Sequence, residues 1–157
     1  MNTSILSPLA AGLLLLALNG MPAGRADGIP ELRLMPATEL KANASGHFIT
    51  KASINGSDIT VLVDTGATTV ALSYEDAEDA GLRPGHLDFN VPVSTANGVT
   101  KAARVKIDHI AVDGVEVENV DGMVLPEGAL KGTLLGMSFL SRLRSFRVED
   151  GILYLKD

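Results

Sequence analysis

Apolar and polar positions alternate with a period of two over most of the chain beyond residue 45. The apolar positions are rich in β-branched residues, and glycine or Asn-Gly turns interrupt them at short intervals. This pattern is typical of an all-β domain, and Asn-Gly is the strongest short hairpin signal. Three hairpins are predicted, with the paired strands 48–54 and 58–63, 91–95 and 99–103, and 146–148 and 152–155.

The alternation changes phase once, inside a long strand. Ala103, Val105 and Ile107 lie on one face, and the apolar positions then shift by one residue to Ile110 and Val112. Such a shift predicts a bulge or bend near residues 108–109. A turn at Asp-Gly, residues 113–114, leads the chain into a further strand over 115–120.

Two short helices interrupt the strand pattern. Ser73 is a favourable N-cap for a helix over residues 74–80, and Gly81 occupies the position where helices often end. Residues 137–143 follow Gly136 and place three large apolar side chains on one face, which predicts a second amphipathic helix. Helix capping explains Ser73, and a solvated or capping role is expected for Ser138.

Composition narrows the possible functions. The chain has 157 residues, of which 46% are hydrophobic, and a formal net charge of −6, which fits one domain with a real core. Lysine and arginine are scattered, so no nucleic-acid partner is expected. Cysteine is absent, which excludes disulfides, thiolate metal sites and a cysteine nucleophile. The three histidines are widely spaced, and we expect neither a metal nor an organic cofactor.

The N-terminal part differs from the rest. Residues 5–18 form an apolar run that is shorter than the roughly 20 residues of a membrane span, and small residues precede position 27 as at a signal-peptidase site. We interpret residues 1–26 as a signal peptide or a membrane anchor and 27–45 as a linker or N-terminal arm. The domain of residues 46–157 would then be periplasmic or otherwise exported, and if the N-terminus is an anchor, residues 5–18 attach the domain to the inner membrane.

The chemistry of the chain is indicated by Asp64-Thr65-Gly66-Ala67, which follows the strand-like run 59–63 and occurs once. Peptide hydrolysis by paired carboxylates needs two acids close enough to share one proton, so that one stays protonated while the other activates water. Gly66 permits a turn and a close backbone approach. A single copy of the motif implies that the second carboxylate comes from another molecule.

Further motifs accompany this one: Gly46-His47-Phe48, Asn55-Gly56, Ser94 to Gly98, and Leu134 to Leu140. In this combination the chain resembles one lobe of an aspartic protease, and more closely the bacterial retropepsin-like proteases, over residues 46–155. The resemblance implies an all-β, single-lobe retropepsin-like (acid protease) barrel with one or two short helices, working as a homodimer on a protein or peptide substrate.

The resemblance also implies roles for individual residues. Asp64 from each of two subunits would be the catalytic pair, and Thr65, Gly66 and Ala67 would support the catalytic loop, with Thr65 reaching the partner's loop. A flap that closes over substrate would contain Thr95, Ala96, Asn97 and Gly98. A structural brace behind the loop would consist of Leu134, Leu135 and Gly136.

The chain departs from viral retropepsins at Thr68, Thr69 and Met137, where those enzymes carry an acidic and a basic residue that form an ion pair. Its dimer interface is therefore expected to differ in detail from theirs. Ala67 cannot donate the hydrogen bond that Ser or Thr gives at this position in relatives. Because such a bond favours the ionised carboxylates, we expect a less acidic working pH than that of pepsin-like enzymes.

Two alternatives stay open. A dimeric module of the same fold could hold peptides without cutting them, although a scaffold has little use for two carboxylates in contact. A chaperone-like periplasmic protein could use an exposed sheet edge to bind extended peptides, but this leaves the Leu-Leu-Gly segment and the Asp-Thr-Gly segment unexplained. Replacing Asp64 discriminates between an enzyme and a binding module.

Overall fold

The computed structural model describes residues 37–95 and 98–157, and within these ranges the chain forms ten strands, two short helices and one 3-10 turn. The helices are α1 (Tyr74–Asp79) and α2 (Met137–Leu140), and the 3-10 turn is Pro84–His86. The strands are β1 (Ala37–Lys41), β2 (Ile49–Ile54), β3 (Ser57–Val63), β4 (Val70–Leu72), β5 (Val91–Thr95), β6 (Gly98–Val112), β7 (Val115–Val124), β8 (Thr133–Leu135), β9 (Ser145–Glu149) and β10 (Ile152–Lys156).

Six of these strands close into a barrel. The order is β2-β3-β8-β4-β7-β6, and β6 pairs back with β2, while β5 continues the sheet beyond β6. The β3–β8 and β4–β7 pairs are parallel, and the β4–β8 pair is antiparallel. A second sheet has the order β1-β10-β9. The predicted all-β barrel with one or two short helices is confirmed.

The hairpin turns form where the sequence predicts them, because the two central residues of each can adopt positive φ. These angles are 51° and 89° at Asn55-Gly56, 45° and 88° at Asp113-Gly114, and 49° and 74° at Asp150-Gly151. Two consecutive positive φ values define the two-residue turn that matches the twist of paired strands. Local residue chemistry therefore determines three of the strand connections.

The predicted irregularity near Asp108 is a bend without an inserted residue. The pairing of β6 with β7 keeps one register on both sides, from Ile107 opposite Val120 to His109 opposite Glu118, and it skips Asp108. Asn119, across from this gap, has a φ of 53°. The backbone turns at this unpaired position, so the buried residues of β6 change phase while the strand remains continuous.

Part of the segment predicted as a linker or arm is a strand. β1 pairs antiparallel with β10, and the hydroxyl of its buried Thr38 donates a hydrogen bond of 2.8 Å to the carbonyl of Asp113. Residues 1–36, which contain the predicted signal peptide or anchor, lie outside the described residues. In the described ranges no helix combines the length and the apolar composition that crossing a membrane requires.

Both predicted helices are present, and the second is shorter than predicted. Ser73 caps α1 by accepting a hydrogen bond from the Asp76 amide at 3.1 Å, and Gly81 follows with a φ of 73°. α2 ends at Leu140, after which Arg142 and Leu143 form hydrogen bonds to residues three positions earlier. Leu143 is nevertheless buried, so the predicted apolar face extends beyond the helix.

The core fills the barrel with aliphatic side chains from most strands, together with Phe139 and Leu140 of α2. This agrees with a chain that is 4% aromatic and contains no tryptophan. The helix α2 therefore covers one side of the barrel with its apolar face, and its first residues reach the turn after β3.

Gly136 makes the closest backbone approach at that junction. A Cβ atom at this position would lie 2.2 Å from the carbonyl oxygen of Thr69 and 2.7 Å from that of Ala67. Those distances are far below van der Waals contact, and both obstacles are backbone atoms. The next residue, Met137, donates its amide to the Ala67 carbonyl at 2.8 Å. The start of α2 thus packs directly against the segment 67–69.

Ser138 connects three elements, whereas the sequence predicted a solvated or capping role for it. Its hydroxyl accepts a hydrogen bond from the amide of Val70 at 2.9 Å and donates one to the carbonyl of Asp121 at 2.6 Å. Val70 is fully buried in β4, and Asp121 belongs to β7. The side chain therefore satisfies a buried amide and holds α2 against two strands of the barrel.

Replacing Gly136 with Ala is expected to lower the free energy of unfolding by about 3 kcal/mol or more, because the backbone must move to admit the methyl group. Gly132→Ala is the matched control, since a Cβ at Gly132 would meet nothing within 4 Å. Urea denaturation measures both variants. Equal stabilities for the two would contradict the close approach at Gly136.

Ser138→Ala is expected to cost about 1–3 kcal/mol of unfolding free energy, because it leaves the Val70 amide without its partner. Ser141→Ala is the control: this exposed hydroxyl, just after α2, donates to the Met137 carbonyl four residues earlier, so its loss should change stability little. Denaturation midpoints measure the difference. A Ser141 variant as unstable as the Ser138 variant would contradict this role.

Candidate active site

Asp64 lies directly after β3, and its backbone is held by neighbouring strands. Its amide donates to the Leu135 carbonyl at 3.2 Å, and the preceding Val63 amide donates to the Phe48 carbonyl at 2.9 Å. β3 and β8 pair in parallel up to the position where Val63 lies opposite Leu135. The carboxylate is therefore presented from the end of a fixed strand rather than from a free loop.

The turn after Asp64 folds back on the carboxylate. The Gly66 amide donates to Asp64 Oδ1 at 2.8 Å, and the Ala67 amide donates to the Asp64 carbonyl at 3.2 Å. A Cβ at Gly66 would lie 3.1 Å from Oδ1, so a side chain there would crowd this hydrogen bond. Asp64 is half-buried, whereas Thr65 and Gly66 are exposed at the tip of the turn.

The predicted brace lies behind this turn. Leu135 is fully buried and supplies the carbonyl that accepts from Asp64, while Gly136 packs against the carbonyls of Ala67 and Thr69. Leu134, the third predicted member, is half-buried and lines the cavity in front of the turn. The two consecutive leucines thus point to opposite sides of β8, one into the core and one into the cavity.

The predicted flap is the hairpin between β5 and β6. Thr95 pairs with Gly98, and the Thr95 hydroxyl donates to the Gly98 carbonyl at 2.8 Å. Ala96 and Asn97, at the tip, lie outside the described residues. Val99 follows with 76% of its surface exposed. The hairpin therefore carries an apolar side chain next to its tip.

A cavity of about 560 Å³ separates the flap from the Asp64 turn. One wall is the turn and the next residues, and the opposite wall is β5. Residues from β7 and from the segment between β7 and β8 complete the lining. The lining residues are Asp64, Gly66, Ala67, Thr68, Thr69, Ala71, Val93, Ser94, Thr95, Met123, Leu125, Ala129, Leu130 and Leu134.

Several of these lining residues carry no signal in the sequence that would mark them as part of a site. Met123, Leu125 and Leu130 fit the pattern of ordinary core or loop positions, and only the closure of the barrel brings them to the cavity. Val93 lies in a predicted strand whose cavity-facing side the sequence does not identify. The structure therefore joins the two predicted segments, turn and flap, and adds an apolar wall to them.

A second, larger cavity of about 740 Å³ shares Leu130 and Leu134 with the first. It is lined in addition by Leu62 of β3 and by Asp76 of α1, whose Oδ2 accepts a hydrogen bond of 2.7 Å from the Thr133 hydroxyl. Asp64 is not among its lining residues. The Asp64 side chain therefore lines the smaller cavity and not the larger one.

Outside both cavities, Lys106 and Asp121 form a cross-strand ion pair of 2.7 Å between β6 and β7. The hydrogen bond from Lys106 and the positive charge of its ammonium group lower the pKa of Asp121. A lowered pKa stabilises the fold above the ordinary pKa of aspartate, and this contribution disappears as the pH falls through the lowered value. Because both side chains are exposed, the contribution is small.

The arrangement supplies one carboxylate, held by a backbone amide, at the floor of a largely apolar cavity. Within the described residues, no group of three or more His, Cys, Asp or Glu side chains is placed to hold a metal ion. A carboxylate in such a position can take a proton from water or share one with a second acid. Among the residues that line the cavity, Asp64 is the one titratable side chain.

Comparison with protein families identifies the fold. Residues 50–142 match the family described as "gag-polyprotein putative aspartyl protease". An uncharacterised protein of Sinorhizobium sp. is 42% identical over 140 residues, covering 89% of this chain and 60% of its own length. An uncharacterised protein of Rickettsia prowazekii is 38% identical over 113 residues, covering 72% and 48%. The chain thus spans only about half to three fifths of these relatives.

Solved structures support the same family assignment. A retropepsin-like aspartic protease from Rickettsia conorii superimposes with a TM-score of 0.70 at 36% identity, covering 77% of this chain and 90% of that one. The EIAV protease complexed with the inhibitor HBY-793 gives a TM-score of 0.56 at 22% identity, covering 70% and 100%, which shows a shared fold. With the family match over more than half of its length, this chain belongs to the retropepsin-like aspartic proteases.

Proposed function

We propose that this protein is an aspartic endopeptidase that hydrolyses peptide bonds as a homodimer. The family and the fold support protease activity in general. The observation that carries the finer proposal is the position of Asp64, hydrogen-bonded by Gly66 in the cavity beneath β5. The proposal covers the chemistry, the dimer and the class of substrate.

The dimer follows from the chemistry of the reaction. Each chain contributes one carboxylate to the cavity, and hydrolysis of an amide by paired carboxylates needs two that share a proton. Thr65 and Gly66 are exposed at the tip of the turn, so a second chain can reach the Asp64 turn. Two turns related by a two-fold axis would bring the two Asp64 carboxylates together, with identical surfaces on both sides of the interface.

In the proposed reaction, the ionised Asp64 of one subunit takes a proton from water as the water attacks the scissile carbonyl. The protonated Asp64 of the other subunit donates to the carbonyl oxygen, and a proton then passes to the leaving amine. The Gly66 amide stays bonded to Oδ1 and keeps the carboxylate oriented. Since water is the nucleophile, no covalent intermediate with the enzyme forms.

The proposed substrate is a peptide bound in extended form between the turn and β5. β5 is the terminal strand of its sheet, and such an edge can pair with a peptide main chain. Ala71, Met123 and Leu130 give the cavity an apolar lining, which favours apolar side chains near the cleaved bond. Closure of the flap over the peptide would exclude water other than the attacking molecule.

The substrate is further proposed to be an exported or membrane protein. The basis is the apolar run of residues 5–18, read as a signal peptide or as a tether to the inner membrane, which would place the domain outside the cytoplasm. The working pH is proposed to be less acidic than that of pepsin-like enzymes, because Ala67 has no hydroxyl with which to favour the ionised carboxylates.

Asp64→Asn is expected to lower kcat/KM for a peptide library by about 10²- to 10⁴-fold, because the amide cannot act as a general base. Dimer formation and peptide binding should persist, since the side chain keeps its shape and its bond to Gly66. The measurement is cleavage of the library by the full chain, analysed by mass spectrometry.

Asp113→Asn is the matched control for this substitution. Asp113 lies in the turn between β6 and β7 with a φ of 45°, and asparagine tolerates that conformation, so cleavage should stay at the wild-type rate. A protein that binds peptides but cuts none in either form would instead be a binding module. Unchanged cleavage by the Asp64 variant would exclude the proposed mechanism.

A further inference from the structure

The larger cavity shares its floor with the cavity at Asp64. In the sheet, Ile49 lies opposite Leu62, and Leu62 lies opposite Leu134. Leu134 is in turn opposite Ala71. Residues directly opposite in a sheet have side chains on the same face, so the four form one row across β2, β3, β8 and β4. The first two line the larger cavity, Ala71 lines the smaller one, and Leu134 lines both, so the two cavities form one groove.

The length of this groove matches a short stretch of extended peptide. Ile49 lies two strands from Leu134, which is about 10 Å at the usual strand spacing of about 4.8 Å. An extended peptide covers about 3.4 Å per residue, and every second side chain points to the same face. A peptide that follows the groove with one side chain in the smaller cavity therefore places its next side chain of the same face in the larger cavity.

Two carboxylates of α1 border the larger cavity. Asp76 Oδ2 accepts a hydrogen bond of 2.7 Å from the hydroxyl of the buried Thr133, which holds this carboxylate against β8. The other oxygen of Asp76 and the exposed Glu75 carboxylate accept no hydrogen bond and form no ion pair with any described residue. An oriented carboxylate beside an apolar floor suits a side chain with an aliphatic stem and a cationic head.

Two further polar residues line the larger cavity. Ser73 is buried, and its Oγ accepts a hydrogen bond from the Asp76 amide. None of the described residues accepts the proton of this hydroxyl, so Ser73 can donate to a carbonyl in the cavity. Lys131 is exposed and is the one cation among the lining residues. Two acids and one base thus give the lining a formal net charge of −1.

We propose that the larger cavity is an outer subsite for the substrate, in which Asp76 and Glu75 select an arginine or lysine side chain. The aliphatic stem of that side chain lies on Ile49 and Leu62, and its cationic head meets the Asp76 carboxylate. The basic residue stands two positions farther from the cleaved bond than the side chain in the smaller cavity. This inference rests on the proposed function, because the cleaved bond lies at Asp64.

The smaller cavity offers no comparable group for this selection. Asp64 is the one titratable side chain among its lining residues, and the proposed reaction uses it at the scissile bond. An apolar subsite beside the bond and an acidic one farther out therefore select an alternation of apolar and basic residues. The two-fold axis of the proposed dimer repeats the groove, so the same pattern holds on both sides of the bond.

A library of random ten-residue peptides tests the position. The full-length protein is incubated with the library, and the cleaved peptides are sequenced by mass spectrometry. Arginine and lysine should be enriched about three- to tenfold at one fixed position, two residues outward from an apolar one. Peptides that full-length Asp64→Asn retains without cutting should show the same enrichment.

Variants of the two acids test the residues. Two synthetic peptides are compared, one with arginine and one with the uncharged norleucine at the outer position. Asp76→Asn and Glu75→Lys should each lower the arginine-to-norleucine ratio of kcat/KM about three- to tenfold. The change should lie in KM rather than in kcat, because this contact is the same in the bound substrate and in the transition state. Asparagine keeps an acceptor for the Thr133 hydroxyl.

Glu78→Gln is the matched control, since this exposed acid belongs to the same helix and does not line the cavity. It should leave the ratio at the wild-type value. Lys131→Gln removes the competing cation and should raise the ratio about two- to threefold. Because each result is a ratio of two peptides on one protein, a loss of folded protein in any variant does not change it.

The outcomes separate this inference from the proposed function. Equal ratios in wild type, Asp76→Asn and Glu75→Lys, with peptides still cut, would overturn the outer subsite and leave the peptidase intact. Binding of arginine peptides that is lost in Asp76→Asn, with no cleavage by wild type, would support the subsite and contradict the peptidase. A library from which nothing is cut and nothing is retained would overturn both.

Discussion

The close contact between Gly136 and the carbonyls of Ala67 and Thr69 is the constraint on which the site depends. It lets the start of α2 lie against the Asp64 turn, where the Met137 amide bonds the Ala67 carbonyl. Any side chain larger than hydrogen would separate the two segments. The turn therefore gains its rigidity from backbone atoms, and the identity of the leucines beside Gly136 matters mainly for packing.

The barrel places the other parts of the site around this contact. Parallel pairing of β3 with β8 ends both strands at the same level, so that Asp64 and the segment behind it emerge together. β4 and β7 continue the wall, and Ser138 connects both of them to α2. Closure through β2 and β6 then brings Met123 to the cavity beneath β5. The Asp64 turn, the apolar wall and the hairpin between β5 and β6 are thus all joined to one continuous sheet.

One terminal strand of the described part of the chain, β5, lies beside the cavity. β5 borders the cavity, and under the proposed function its edge pairs with an extended peptide. The proposed second carboxylate comes from another copy, because each chain contributes one acid, Asp64, to the cavity.

The amino-acid sequence alone determined several local features of the fold. They are the turns at Asn55-Gly56, Asp113-Gly114 and Asp150-Gly151, the cap at Ser73 and the Asp64 turn. Each depends on a few adjacent residues whose φ preferences or side chains act locally. The tertiary structure decided the others: the strand β1, the bend at Asp108 without an inserted residue, the bridging role of Ser138 and the apolar wall of the cavity. Those features join segments far apart in the chain, and closure of the barrel, rather than any local preference, brings them into contact.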